Sequence, residues 1–355
     1  MRSDIQALRG TAVIGIVLFH FNETIFHLGY LGVDSFFVIS GYLIYPRIEA
    51  ILDGSTLKIR TNDLRDFYLR RIWRLLPAFL AFYVVSLVLL FLFAPLDDHK
   101  RIWYGALFSI VGIGNIGAYK FSGDYFHPNP NPFIHTWSLS VEEQIYLGLP
   151  LFLLGILRVA KKAQPNLVLL SLTITSAYLF FNRNQTNYLF SKIGIQYASL
   201  LNLPFYLPTH RIWEFGLGAL ASVLTASKVR IILPKEKITF TTLLVLNLIL
   251  WTFKIQESIA LLLVITITLT LLISKTQQKR KVYSENILVF IGNRSYSIYL
   301  AHMPIIYVLR YSPTISNQLS WPLLFLVYIL VTLLFSLLIL YPIEKKYRFS
   351  TGSNE

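Results

Sequence analysis

The sequence predicts an all-α integral membrane protein with about ten transmembrane helices and one short re-entrant or interfacial segment. Of its 355 residues, 55% are hydrophobic and only 14% are charged, and the mean hydropathy is +0.57. A soluble globule of this size needs more polar surface than that composition supplies. Apolar blocks of about 20 residues, enough to cross a hydrocarbon core of about 30 Å as a helix, recur along the chain. Their ranges are 8–27, 31–48, 75–96, 139–157, 166–182, 209–226, 238–254, 257–274, 287–309 and 320–342, with a weaker block at 102–119.

Basic residues between the blocks predict how the helices are oriented. The net charge is +14, and seven basic residues lie in the segment 47–74, which the positive-inside rule assigns to the cytoplasm. If block 102–119 crossed the membrane, every later basic cluster would lie outside, whereas a block that dips in and returns keeps them inside. We therefore expect ten spanning helices in the cytoplasmic membrane, both termini cytoplasmic, and a re-entrant or interfacial segment near 102–119. The basic loops account for the charge without nucleic acid.

The weaker block contains GIGNIG at 112–117, which matches the G-x-G-x-x-G pattern of dinucleotide-binding folds. Such a fold needs a strand before the glycines and a crossover unit around them, and the sequence has neither. We therefore interpret these small residues as positions where helices or a re-entrant segment pack closely.

Ionisable residues inside the apolar blocks are the candidates for chemistry, because a charge at membrane depth costs about 2.5–3.5 kcal/mol on insertion scales. Arg9 and His20 lie eleven residues apart in the first block. That spacing is close to three helical turns, so both side chains share one helix face, about 16 Å apart along the axis. Taken singly, Arg9 also fits a snorkelling anchor, and His20 a buried, hydrogen-bonded histidine.

Two further pairs stand at predicted helix starts. Arg71 and Arg74 lie one turn apart, where the N-terminal dipole of the third helix would add to their attraction for phosphate, although topogenic arginines fit equally well. Glu142 and Glu143 follow an Asn/Pro-rich loop and fit either a functional role or simple capping of the next helix. The other candidates are Asp34, Trp137, Tyr299 and His302.

Seven stretches occur in a fixed order from residue 2 to about residue 348: DIQALRGTAVIGIVLFH, LGVDSFFVISGYLI, RRIWRLLPA, HTWSLSVEEQIYL, RIWEFGLGAL, SYSIYLAHMPII and IEKKYR. Together they resemble the acyltransferase-3 family of membrane O-acyltransferases. The chain departs from the family pattern at Lys346, where proline is usual. From the resemblance we expect one membrane acyltransferase domain over 1–348, a short cytoplasmic tail at 349–355, and a stand-alone enzyme without the periplasmic hydrolase-like domain that some members append.

The resemblance implies transfer of an acyl group, usually acetyl, from cytoplasmic acyl-CoA to a hydroxyl of an extracytoplasmic glycan or glycolipid. Arg9 and His20 occupy the family's Arg and His positions, and Arg71 and Arg74 occupy its R-x-x-R. His20 is then expected to act as general base or acyl relay. Arg71 and Arg74 would bind the CoA phosphates, and Arg9 the entering arm.

Asp34 or Glu142 is the expected carboxylate beside the imidazole, and backbone N–H groups at Ser40–Gly41 would bind the oxyanion. No metal is expected. The expected partners are membrane lipid and a glycan or lipid-linked glycan acceptor. A transporter or flippase that uses the same polar residues as a relay is the alternative, as is a structural subunit that keeps the fold. The motifs specify neither the acceptor, the acyl group nor the oligomeric state. The residues expected to bind substrate are Glu143, Trp137, Tyr299 and His302.

Overall fold

The computed structural model describes residues 2–54, 57–121, 130–160, 162–182, 203–229, 231, 236–252, 255–274, 286–315 and 319–350. In these ranges the chain is helical apart from turns and one isolated bridge, which confirms the all-α prediction. In chain order the helices are α1 (Ser3–Phe21), α2 (Gly32–Leu52), α3 (Leu57–Phe93), α4 (His99–Ile110), α5 (Gly114–Phe121), α6 (Thr136–Val159), α7 (Pro165–Phe181), α8 (Leu203–Tyr206), α9 (Pro208–Ala226), α10 (Glu236–Leu250), α11 (Glu257–Ile273), α12 (Ile287–Asn293), α13 (Ser295–Tyr311), α14 (Trp321–Phe335) and α15 (Tyr341–Ser350).

The contacts divide the chain into two compact units. Unit 1 contains Met1–Ala50 and Glu214–Tyr299, and unit 2 contains Ile51–Trp213 and Leu300–Thr351. The expectation of one domain over 1–348 stays a prediction, and the tail beyond residue 350 lies outside the described residues.

Five helices among the described residues are long and apolar enough to cross a membrane. Shorter apolar helices accompany them at Pro165–Phe181, Thr241–Leu250 and Glu257–Ile273. Every apolar block found in the sequence overlaps a helix, so the chain is a multi-pass membrane protein. The five long candidates are Ser3–Phe21, Gly29–Leu52, Ile59–Phe93, Thr136–Val159 and Trp321–Tyr347.

Helix α3 is much longer than the apolar block that predicts it. It begins at Leu57 and has 37 residues, which makes it about 55 Å long. The basic segment expected to be a cytoplasmic loop is therefore mostly helix, interrupted only between Leu52 and Leu57. Hydropathy missed this extension because Arg, Lys and Leu are good helix formers whatever their polarity.

The weaker block folds as two short helices, α4 and α5, which contact each other. They have 12 and 8 residues and are about 18 and 12 Å long, too short to cross a core of about 30 Å. Gly112 adopts a φ of 74° in the turn between them, and its N–H donates to the carbonyl of Ser109. A left-handed glycine of this kind ends a helix without steric cost.

Polar contacts attach this helical hairpin to α6. The Gly114 N–H donates to the Ser140 hydroxyl over 2.9 Å. The Gln144 amide donates to the Gly112 carbonyl over 3.0 Å and pairs with the Asn115 amide over 2.9 Å. Backbone that leaves a helix at membrane depth has to find such partners inside the protein. A Cβ at Gly114 would also crowd α6, so close packing is confirmed for Gly114, whereas nothing lies within 4 Å of an added Cβ at Gly112, which serves the turn instead.

In unit 1, α1 and α12 cross at two glycines. A Cβ at Gly10 would overlap the carbonyl oxygen of Leu288, and a Cβ at Gly292 would overlap that of Gln6. Each glycine thus lets the backbone of one helix rest on the other, as small residues do in membrane helix pairs.

The crossing of α2 with α9 follows the same rule and corrects one expectation. A Cβ at Gly41 would overlap the Phe215 carbonyl, and a Cβ at Gly218 would overlap that of Val38. Ser40–Gly41 lies inside α2, so it is not a turn with free N–H groups, and an oxyanion site there is wrong. The small residue serves helix packing instead.

Replacing Gly10 or Gly292 by alanine should lower the apparent melting temperature in detergent, because the obstructing atoms are backbone and cannot rotate away. Overpacking of this kind costs about 1–3 kcal/mol. Gly148→Ala on α6 is the matched control, since nothing lies within 4 Å of its added Cβ. Equal melting temperatures for all three variants would contradict the proposed crossing.

Candidate active site

Helix α1 fixes how the imidazole of His20 carries its proton. His20 Nδ1 lies 2.9 Å from the carbonyl oxygen of Ile16, one turn earlier. Because a carbonyl oxygen only accepts hydrogen bonds, Nδ1 must be the protonated nitrogen, and the neutral ring has its lone pair on Nε2. The side chain is half-buried, and its ring packs edge-on against Phe19. Nε2 is thereby the basic atom of this ring.

Arg9 lies near the other end of the same helix. Its Nε–H donates to the hydroxyl of Ser295, the first residue of α13, over 3.1 Å. Helix α1 contains no proline and runs unbroken from Ser3 to Phe21, so Arg9 and His20 share one face as the spacing predicts. Val13 and Ile16, which lie between them on that face, are fully buried.

Asp34 lies in the first turn of α2 and is 2% exposed. A Cβ at Gly29 would overlap the Gly15 carbonyl, and one at Gly32 that of Ala12, so α2 descends beside α1 in the opposite direction. Asp34 comes two residues after Gly32, about 3 Å farther along the axis, and is therefore level with the middle of α1. The Ile16 carbonyl, which no motif predicts, is the group that orients Nδ1 of His20.

In unit 2, the arginine motif on α3 meets the glutamate motif on α6. The guanidinium carbon of Arg71 lies 3.5 Å from the centroid of the Tyr146 ring. The Tyr146 hydroxyl donates to the Glu142 carboxylate, and the charges of Arg71 and Arg74 act on Glu143. The structure thus brings together the four charged residues that the sequence assigned to two separate functions.

The positions of these residues correct two expectations about helix ends. Helix α6 begins at Thr136, so Glu142 and Glu143 lie beyond the first turn and do not cap it. Arg71 and Arg74 lie about four turns inside α3, so the dipole at the helix N-terminus does not strengthen their hold on phosphate.

Tyr146 holds the Arg71 side chain, because its ring lies against the face of the guanidinium and its hydroxyl also forms a hydrogen bond with it. No described residue accepts a hydrogen bond from its Nε–H, although that atom is buried. Guanidinium groups stack on aromatic faces while their edge stays available for bidentate binding of phosphate or carboxylate. The arrangement therefore suits a guanidinium that binds an anion.

Trp137 lies in packed surroundings. Its indole is 1% exposed and contacts the rings of Phe205 and Tyr206 at centroid distances of 4.8 and 5.5 Å. The Arg211 guanidinium lies over the same indole. These contacts are those of a core aromatic residue, and stacking of Trp137 on a sugar stays a prediction.

His302 and Tyr299 are both buried on α13. In unit 2, the His302 ring lies 5.1 Å from that of His135, at an angle of 74°. Phe82 on α3 packs edge-on against His135. His135 was absent from the candidates drawn from the sequence.

The sequence indicates one of these contacts, although Tyr146 is not among the candidate site residues. Glu142 and Tyr146 are four residues apart on a helix, a spacing that predicts contact between side chains. The approach of Tyr146 to Arg71 and of His135 to His302 joins distant segments, and no local pattern indicates either contact.

Comparisons with known proteins agree with the motifs. The acyltransferase 3 family model, described as an acyltransferase domain, matches residues 2–341. Over 175 residues the chain is 36% identical to O-acetyltransferase OatA of Staphylococcus aureus strain NCTC 8325, covering 48% of this chain and 27% of OatA. Over 320 residues it is 27% identical to a candidate O-acetyltransferase of strain COL, covering 85% of this chain and 50% of that protein. The chain thus spans half or less of these relatives. No solved structure matches it significantly.

Nuclear magnetic resonance of protein labelled with ¹⁵N-histidine should find His20 protonated on Nδ1 and unprotonated on Nε2. The measurement belongs above pH ~8, where an ordinary imidazole is neutral. Comparison with His20→Gln assigns the signal among the seven histidines. A ring protonated on Nε2 would contradict the hydrogen bond to Ile16.

Proposed function

Because this chain belongs to the acyltransferase 3 family of membrane O-acyltransferases, we propose that it transfers an acetyl group from acetyl-CoA to a hydroxyl of a cell-envelope glycan or lipid-linked glycan. The names of the similar S. aureus proteins support acetyl as the group. The observation that carries the proposal is the hydrogen bond from His20 Nδ1 to the Ile16 carbonyl, since it leaves Nε2 with the lone pair that a general base needs.

In the proposed reaction the acceptor oxygen attacks the carbonyl carbon of the thioester, and the carbon–sulfur bond breaks. His20 Nε2 takes the proton of the attacking hydroxyl, and the departing CoA thiolate takes up a proton in turn. An alternative route uses the same lone pair, because Nε2 can attack the thioester and pass the acetyl group on as an acyl-imidazole. The Ile16 carbonyl stabilises the positive charge that develops on the ring in either route.

For the donor, we assign Arg71 and Arg74 to the CoA phosphates. The face-on contact of Arg71 with Tyr146 supports this role, because it leaves the guanidinium edge for a polyanion. Arg9 is assigned to the pantetheine arm. Glu142, held by Tyr146, and Glu143, exposed beside the arginines, offset the arginine charges when no donor is bound.

For the acceptor side we retain Trp137, Tyr299 and His302. All three are buried, so we assign each of them to the packing that supports acceptor binding instead of to direct stacking on sugar rings. Asp34, level with the middle of α1, is assigned to the electrostatic environment of the His20 ring and not to a direct pair with it.

For the topology we propose ten spanning helices with both termini in the cytoplasm, and a re-entrant hairpin formed by α4 and α5. The basic residues near the start of α3 favour this orientation. The short lengths of α4 and α5 support a segment that enters the membrane and returns on the same side.

Replacing His20 by alanine should reduce acetyl transfer about 100-fold or more, since general-base catalysis contributes about that much. Membrane vesicles that contain the enzyme and its glycan are supplied with labelled acetyl-CoA, and both CoA thiol release and acetyl on the glycan are measured. His27→Ala, in the segment between α1 and α2, is the matched histidine control. Full activity of His20→Ala would remove this residue from the mechanism, and transport of donor without thiol release would favour a transporter.

Single cysteines introduced into the chain should report the proposed topology directly, because the protein has no cysteine of its own. A cysteine at Ser227, after α9, should react in intact cells only with a thiol reagent that crosses the membrane. A cysteine at Thr24, between α1 and α2, should react with a reagent that does not cross. The reverse pattern would contradict the orientation.

A further inference from the structure

We propose that Tyr146 is a positioning residue for the donor, which holds Arg71 with the face of its ring and Glu142 with its hydroxyl. The inference rests on the proposed function, because it takes a donor anion as the ligand of Arg71. In this arrangement one phenol keeps a cation and a carboxylate close together but prevents them from pairing.

The contact between Tyr146 and Arg71 joins two long helices at a buried point. Tyr146 is 2% exposed, and its ring centroid lies 3.5 Å from the guanidinium carbon of Arg71. One turn before Arg71, the Tyr68 hydroxyl donates to the Leu147 carbonyl over 2.9 Å. This second contact joins the same two helices without involving Arg71, whereas the buried Tyr146 ring fixes the plane of the guanidinium that lies against it.

The position of Arg71 along α3 indicates where this contact lies relative to the hydrocarbon core. Arg71 lies about 21 Å from the start of the helix, and the 22 residues from there to Phe93 measure about 33 Å. That remainder is enough to cross the hydrocarbon core. Arg71 consequently lies at an edge of the core, where a cation needs support from protein and can still meet a ligand from the aqueous side.

Two carboxylates act on Arg71 without taking its N–H groups. The charges of Glu142 and Glu143 both act on the guanidinium, and a direct ion pair with either would compete with a phosphate for the same donors. Among the described residues, Arg71 forms neither an ion pair nor a hydrogen bond from Nε. Glu142 instead accepts the Tyr146 hydroxyl. The phenol thus keeps Glu142 engaged, while the negative charge of Glu142 still stabilises the buried cation.

The two parts of Tyr146 make separable contributions. Tyr146→Leu removes both the ring and the hydroxyl, and the KM for acetyl-CoA should rise about 30-fold, the effect of losing a desolvated cation–π contact. Tyr146→Phe keeps the ring but frees Glu142 to compete for Arg71, and the KM should rise about fivefold. In a Glu142→Gln background the change to Phe still removes the hydrogen bond between Tyr146 and Arg71, but it should raise the KM by less than in the native background, because a neutral amide does not compete as an ion partner.

The experiment measures CoA thiol release by the full-length protein in vesicles as a function of acetyl-CoA concentration. Tyr68→Leu and Tyr68→Phe are the matched controls, since they remove a tyrosine from the same pair of helices without touching Arg71. If Tyr146→Leu fails to fold, as judged by size-exclusion chromatography in detergent, the cycle of Tyr146→Phe and Glu142→Gln decides, because it changes single atoms.

The outcomes separate this inference from the function on which it rests. An unchanged KM in Tyr146→Leu, or an equal effect of Tyr146→Phe in both backgrounds, overturns the role of Tyr146. Absence of thiol release by the wild-type protein, or an unchanged KM when Arg71 and Arg74 are both replaced by alanine, overturns the donor site itself. A raised KM in the Arg71 and Tyr146 variants, with the Tyr68 variants unchanged, supports both.

Discussion

A polar group in hydrocarbon has no water to bind, so its partners have to come from the protein. The polar groups that bear on chemistry in this molecule each have a partner of this kind. The imidazole of His20 bonds to a carbonyl of its own helix. The guanidinium of Arg71 lies on an aromatic ring, and the turn between α4 and α5 is held by side chains of α6. In each case the partner fixes the orientation of the polar group and lowers the free-energy cost of burying it.

Fixed orientation is what turns these residues into candidates for catalysis. A histidine in solution exchanges between two tautomers, and only the tautomer with an unprotonated Nε2 can receive a proton at that atom. In α1 the Ile16 carbonyl selects this tautomer of His20. Many enzymes use a carboxylate for the same purpose. In unit 2 a tyrosine takes the place of a direct ion pair with Arg71, so the arginine keeps its charge and its Nε–H has no partner among the described residues.

Close helix packing makes these contacts possible. Glycines at the crossings of α1 with α12 and of α2 with α9 let the backbone of one helix rest on that of the other. The two helices of each pair are therefore fixed relative to each other along their axes. Gly10 is the neighbour of Arg9, and the crossing at Gly10 places the arginine beside the start of α13, where Ser295 accepts its hydrogen bond. A substitution at Gly10 would therefore disturb both the helix crossing and the position of Arg9.

The sequence by itself determined what depends on composition and local spacing. Hydropathy located a helix in every apolar block, and the shared face of Arg9 and His20 followed from helix geometry, because both properties repeat with a fixed period along one element. Periodicity missed the polar extension of α3 and left open whether Glu142 and Glu143 cap α6, since it reports apolarity and not where a helix begins.

Only the tertiary structure decided which residues the candidate site residues contact. The meeting of Arg71 with Tyr146, the pairing of His135 with His302, and the depth of Asp34 on α2 each depend on how two helices pack. Such contacts arise between residues far apart in the chain, where the energy of packing many side chains together, and not the pattern of either segment, selects the neighbour.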